Sequence, residues 1–159
     1  MWRITAFAVA IFWIAADYLS KTWADSVLKE GAITVNSWMN FALAYNRGAA
    51  FSFLSDEGGW QRWFFTAIAV IIGLWLIVSI VREKLHPLLY LAYGSILGGA
   101  LGNLYDRIVH GHVIDFIQWH YKGKAWPTFN IADVAITVGV GLMILLWLIE
   151  LKGQKDKQV

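Results

Sequence analysis

From Trp63 to Val81 the chain runs without a charged residue, and from Pro87 to Tyr105 it does so again. A helix needs about 20 predominantly apolar residues to cross a hydrocarbon core of roughly 30 Å, so both stretches are of spanning length. Two more come close, residues 4–20 and 131–149, each shortened at one end by an aspartate, Asp17 or Asp133. With 58% hydrophobic and only 15% charged residues, against about 25% charged in soluble domains, the composition agrees. The expected fold is a polytopic α-helical membrane protein with four transmembrane helices at about 4–20, 61–81, 87–105 and 131–149.

Arg3 followed by "ITAFAVAIFWIAA" resembles a secretory signal, but no small-x-small cleavage site follows its apolar core before Asp17, so this segment reads as a retained first span. The net charge of +2 comes from scattered Lys and Arg at segment ends and forms no basic stripe, so no nucleic-acid partner is expected. The chain has no cysteine, which removes disulfides, thiolate nucleophiles and Cys-based zinc sites.

Four crossings put both termini and "REKLH" (Arg82 to His86) on one side and the connections 22–60 and 106–130 on the other. Asp17, Lys21, "GNLYDR" from Gly102, Asp115 and Asp133 all converge on that second side. Six basic residues lie with the termini and seven on the crowded side, so the count alone does not orient the chain. Basic residues are denser in "REKLH" and the tail, which places the termini in the cytoplasm and the crowded face outside. In the first connection Ile33 and Val35, then Phe41, Leu43 and Tyr45, then Phe51 and Phe53 recur with period two, punctuated by Gly48 and Gly58–Gly59. A small extracytoplasmic β-rich element between helices 1 and 2 is expected. The chain is read as one membrane-embedded domain over residues 1–159.

"VIDFI" sets Asp115 in an apolar frame, as a strand or a helix start, and "FNIADVAI" repeats the pattern around Asp133. A carboxylate at mid-membrane costs about 2.5 to 3.5 kcal/mol, less near a helix end, so something must offset it. Asn130 as a cap with Asp133 in the first turn of span four is one account of Asp133. A water-solvated interfacial loop is the corresponding account of Asp115. The other account pairs them: at ~5 Å, repulsion at an effective dielectric of about 20 is roughly 3 kcal/mol, enough to keep one protonated beside an ionised partner. Such a pair can activate water and donate to a carbonyl oxygen, as aspartic proteases do.

Asp17 and Lys21, four apart at a helix end, read as a plain ion pair worth under ~0.5 kcal/mol, with an architectural role. Asn103, Asp106 and Arg107 end span three, where Arg107 can meet lipid phosphate, pair with a loop carboxylate or snorkel. Gly94, Gly98 and Gly102 recur every four residues in that span, a pattern of close helix packing. His110, His112 and His120 flank Asp115, and His-x-His on a strand points both rings one way. No HExxH or carboxylate-rich helix completes a ligand set, so neither metal nor cofactor is expected. Ser37, Ser52 and Ser55 share the crowded side, yet none sits on a nucleophile-elbow motif.

"DYLSK" from Asp17, "AYNRGAAFSFL" from Ala44, "GGALGNLYDR" from Gly98, "HVIDF" from His112 and "FNIADVAI" from Phe129 resemble, in order and over nearly the whole chain, the motifs of the lipoprotein signal peptidases. That resemblance implies an aspartyl endopeptidase of the bacterial cytoplasmic (inner) membrane, with Asp115 and Asp133 matching the catalytic residues. It implies substrate-positioning or supporting roles for Asn46, Gly48, Asn103, Arg107 and Asn130, and fold support from Asp17 and Lys21. Tyr18 stands where relatives often carry Gln. The implied partners are membrane lipid and a diacylglyceryl-modified prolipoprotein, cut on the amino side of the lipidated cysteine, with the cyclic peptide globomycin as inhibitor. The competing readings are a proton-coupled transporter, which calls for mid-span carboxylates on several helices, and an assembly subunit, which leaves Asp115 without a role.

Overall fold

The computed structural model describes residues 1–48 and 60–155. Four long helices, α1 (Trp2–Val27), α2 (Trp60–Arg82), α3 (Pro87–Val109) and α4 (Ile131–Lys155), carry a sheet of four short strands at one end. Among the described residues, three segments are long and apolar enough to cross a membrane: Trp2–Glu30, Trp60–Arg82 and Ile131–Gln154. Their outward faces are apolar, as at Ile71, which is 66% exposed, the inverse of a water-soluble bundle.

The third helix equals α2 in length, at 23 residues, but differs in character. It is the central helix, packed against α1, α2 and α4, and its small residues fit where backbones nearly touch. A Cβ at Gly94 or Gly98 would meet the carbonyl oxygens of Ala6 or Ala10 of α1, and one at Gly99 would meet that of Ala132 of α4. Gly139 returns the fit from α4 against Ala92 and Ile96. The expected close packing is therefore present on two flanks of α3. Trp13 donates to the Ser95 hydroxyl across the α1–α3 seam at 3.1 Å.

The first helix extends past the expected boundary at residue 20 to Val27, because Asp17 and Lys21 do not end it. They face inward, 1% and 3% exposed, so the expected ion pair forms but is a buried one. Its energetics change accordingly: breaking a buried pair leaves an uncompensated charge, with an effect several-fold larger than at the surface.

The sheet runs β1 (Ile33–Asn36), β2 (Met39–Asn46), β3 (Val113–Tyr121), β4 (Lys124–Ala125), antiparallel throughout. The β element expected between helices 1 and 2 is present as β1 and β2, and the connection between α3 and α4 adds the other two strands. Phe51, Phe53 and Gly58–Gly59 lie outside the described residues. Phe116 packs with Ala24 and Leu28 from the end of α1, and Phe41, Leu43, Ile117 and Ile131 pack around them, seating the sheet on the helices. Gly111, at φ +80°, turns the chain from α3 into β3 in the left-handed region that favours glycine.

Candidate active site

The frame around Asp115 is a strand, and Val113 to Phe116 are all buried in it. On one edge β2 pairs with it, placing Ala44 opposite Asp115 and Asn46 opposite Val113. On the other edge the lead-in to α4 runs alongside: Phe116 and Ile117 donate backbone N–H to the Phe129 carbonyl at 3.0 and 2.9 Å, and Phe129 donates back to Ile117 at 3.0 Å. This pairing sets Asn130, the next residue, beside Asp115.

Asn130 caps α4 reciprocally with Asp133. Its Oδ1 accepts from the Asp133 backbone N–H at 3.0 Å, and its own backbone N–H donates to Asp133 Oδ2 at 3.1 Å. The expected cap is present, and the same side chain reaches the other aspartate: Asn130 Nδ2 donates to Asp115 Oδ1 at 2.7 Å. The capping and pairing accounts of Asp133 are thus compatible, for one asparagine serves both. Asp115 is buried, not a solvated loop residue.

Two more asparagines turn their amides the same way. Asn46 Nδ2 donates to Asp115 Oδ2 at 3.1 Å while its Oδ1 accepts from the Gly48 N–H at 3.0 Å. Asn103 Nδ2 donates to Asp133 Oδ1 at 2.9 Å while its Oδ1 accepts from Lys21 Nζ and Asn130 Nδ2, both at 3.0 Å. Each amide oxygen is engaged by a donor, so each NH2 must face a carboxylate. Arg107 closes the rim: it donates to the carbonyls of Asn103 at 3.3 Å and Gly48 at 3.4 Å, with its guanidinium 5.5 Å from the centre of the Phe65 ring. Of the roles open to Arg107, the structure shows backbone contacts at the rim of this cavity.

Asp115 and Asp133 line one cavity of about 250 Å³ together with Asn46, Asn103, Arg107 and Thr128. Burial pushes the Asp115 carboxyl up to about 7; the charge of Asp133 adds to this, and the bonds from Asn46 and Asn130 oppose it. The cavity therefore contains an acid that gives up its proton near neutrality beside a second carboxylate at a helix N-terminus.

The profile of the Signal peptidase (SPase) II family matches residues 9–149. The chain belongs to the signal peptidase II family. A lipoprotein signal peptidase of Dichelobacter nodosus is 54% identical over 143 residues, covering 90% of this chain and 93% of its own. One from Cellvibrio japonicus is 50% identical over 145 residues, covering 90% and 83%. Among solved structures, a bacterial membrane enzyme determined by the in meso method at 2.3 Å superposes with a TM-score of 0.82 at 31% identity, covering 98% of this chain and 94% of that one. Membership makes this a bacterial membrane protein of a peptidase family.

Every residue singled out in the sequence for this family's site falls in one hydrogen-bonded network: Asp115, Asp133, Asn46, Gly48, Asn103, Arg107, Asn130, Asp17 and Lys21. The histidines do not join it as a ligand set. His110 and His112 lie in the turn after α3, not on a strand, with rings 6.2 Å apart, and among the described residues no group of three or more His, Cys, Asp or Glu is placed to hold a metal ion. Ser37 lies in the turn between β1 and β2, while Ser52 and Ser55 are outside the described residues. Sequence reasoning gave Asp106 no role, yet it is buried and bonded to Lys21. Its signal was the spacing: three residues after Asn103 on a helix, it shares that residue's face.

Proposed function

We propose that this chain removes signal peptides from diacylglyceryl-modified prolipoproteins by an aspartyl mechanism, cutting on the amino side of the lipidated cysteine. The observation that carries the chemistry is the joint hold of Asn130 on Asp115 and Asp133 at the wall of one cavity. Asp133 takes a proton from water, whose oxygen attacks the scissile carbonyl carbon. Asp115 gives its proton to the carbonyl oxygen, forming a gem-diol. On collapse the C–N bond breaks, the leaving amine takes the proton held by Asp133, and Asp115 recovers its own from the gem-diol hydroxyl. Arg107 at the rim stabilises negative charge on the substrate oxygen.

Two neighbouring cavities support the substrate class. One, of about 340 Å³, runs along Ala44, Asn46, Gln118 and Thr128, where strand edges suit an extended polypeptide. The other, of about 430 Å³, is apolar, passing from Asp133 over Phe129, Trp119 and Trp126 to Val134 and Val138 on α4, and suits an acyl chain. Trp126 borders both. In this reading all four helices span the inner membrane, both termini are cytoplasmic, the sheet and the dyad are extracytoplasmic, and globomycin occupies the dyad cavity.

The test is cleavage by the purified protein in detergent, with a chelator present, of one prolipoprotein with and without its diacylglyceryl group. Cleavage of the lipidated form alone supports the reading; equal cleavage of both refutes the lipid specificity, and no cleavage under conditions that support a homologue refutes the function. Phe129→Ala is expected to raise KM for the lipidated substrate about tenfold by opening the apolar groove. The pH profile supplies a second check. Asp115 must be protonated to donate, so the rate falls as pH rises through about 7. The Asn46 bond favours the ionised form, so in Asn46→Ala the alkaline limb moves up.

A further inference from the structure

The ammonium of Lys21 makes three bonds, to Asp17 Oδ2 at 2.7 Å, Asp106 Oδ2 at 2.9 Å and Asn103 Oδ1 at 3.0 Å, which uses all three of its donors. The two carboxylates it joins each take one backbone N–H as well. Asp17 Oδ1 accepts from Ala132 at 2.8 Å, and Asp106 Oδ2 accepts from Ile114 at 3.0 Å. Ala132 immediately precedes Asp133, and Ile114 immediately precedes Asp115. One buried cation thus ties together the backbones of two separate elements, each one residue upstream of an aspartate of the dyad.

We propose that Asp17, Lys21 and Asp106 act as a positioning clamp that sets the placement of the dyad and fixes the amide of Asn103 with its donor toward Asp133. The clamp consists of positioning residues: none of the three lines the dyad cavity. Asn103 is the asparagine whose orientation depends on it. The oxygens of Asn46 and Asn130 are held by backbone N–H groups, whereas that of Asn103 is held by two side chains, Lys21 and Asn130. Without the ammonium the amide can turn over and present its oxygen to the Asp133 carboxylate, a repulsive contact at the group that must take the proton from water. Lys21 also contributes charge. The charged groups that act on Asp115 are Asp133 on α4, Lys21 on α1 and Arg107 on α3; Asp133 holds the proton on, whereas the fields of Lys21 and Arg107 favour ionised Asp115.

The proposal rests on the peptidase reading for its kinetic part and has a second readout that needs no substrate. Lys21→Met and the double variant Lys21→Met with Asp106→Asn are compared with the parent, the double variant keeping the cluster at a net charge of −1 by losing one carboxylate with the ammonium. In both, kcat for lipidated prolipoprotein is expected to fall at least tenfold with KM within threefold. In Lys21→Met the Asp115 carboxyl, followed by infrared difference against Asp115→Asn, is expected to titrate at higher pH than in the parent. A folded Lys21→Met protein with parental kcat and parental Asp115 midpoint overturns the clamp, as does failure of both variants to fold, which makes the cluster a folding element only. If the parent itself does not cleave, the peptidase reading fails, while the infrared midpoint still decides whether Lys21 acts on Asp115.

Discussion

Asp115→Asn and Asp133→Asn are each expected to lower kcat by at least about 10³-fold with the helical fold retained, since each removes one half of a proton exchange for which general acid–base catalysis typically supplies 10² to 10⁴. The two losses should not multiply in the double variant, because a dyad acts as a unit. Retention of near-parental turnover by either folded variant would sink the catalytic assignment. The same substitution has a stability signature. The folded-state pKa of Asp115 lies above its usual 3.8, at about 7, so between about pH 4 and 7 the folded state holds a proton that the unfolded state has released. Stability from this group therefore declines as pH rises across that window and is lost above it. The parent should melt lower at pH 8 than at pH 5, and Asp115→Asn should show less of that decline.

The second large effect concerns packing. Gly99→Ala is expected to cost about 10²-fold in turnover and to lower the melting temperature. The added methyl would meet the Ala132 carbonyl oxygen, a backbone atom that can yield only if the first turn of α4 moves, and with it Asp133. Overpacking typically costs 1 to 3 kcal/mol, and a displacement of roughly 1 Å in a reacting group can cost about 10²-fold. Gly141→Ala on the same helix α4 is the control: a Cβ there meets nothing within 4 Å, so the substitution should leave activity unchanged and stabilise slightly through helix propensity. Equal behaviour of the two variants, measured by thermal melting and cleavage rate, would show that the close approach of α3 and α4 does not position the site.

These contacts also explain which parts of the molecule were legible in the sequence. Long apolar runs announce α2, and the Gly94–Gly98–Gly102 spacing announces a helix that others approach closely, because both signals are local. Asn130 and Asp133 are three apart, so their capping was readable too. The pairing of β2 with β3 was not, since it joins strands on either side of two long helices, and alternation in one strand does not name its partner. Nor was the continuation of α1 through Asp17 and Lys21: charges near the end of an apolar run look like its boundary unless their partner is known, and Asp106 lies 85 residues from Lys21 in the chain. Asp106 itself looked like a helix-end charge until the cation it faces was in view.

The assembly of the site from distant pieces has a consequence for a protein made one helix at a time. Asn46 precedes α2, Asn103 sits on α3, Asp115 follows it and Asp133 opens α4, so the cavity exists only when the last helix has docked. A nascent chain halted after any earlier helix has one aspartate of the dyad at most and no Asn130 to steady it. On the proposed mechanism the chain therefore stays silent until its fourth helix is in place.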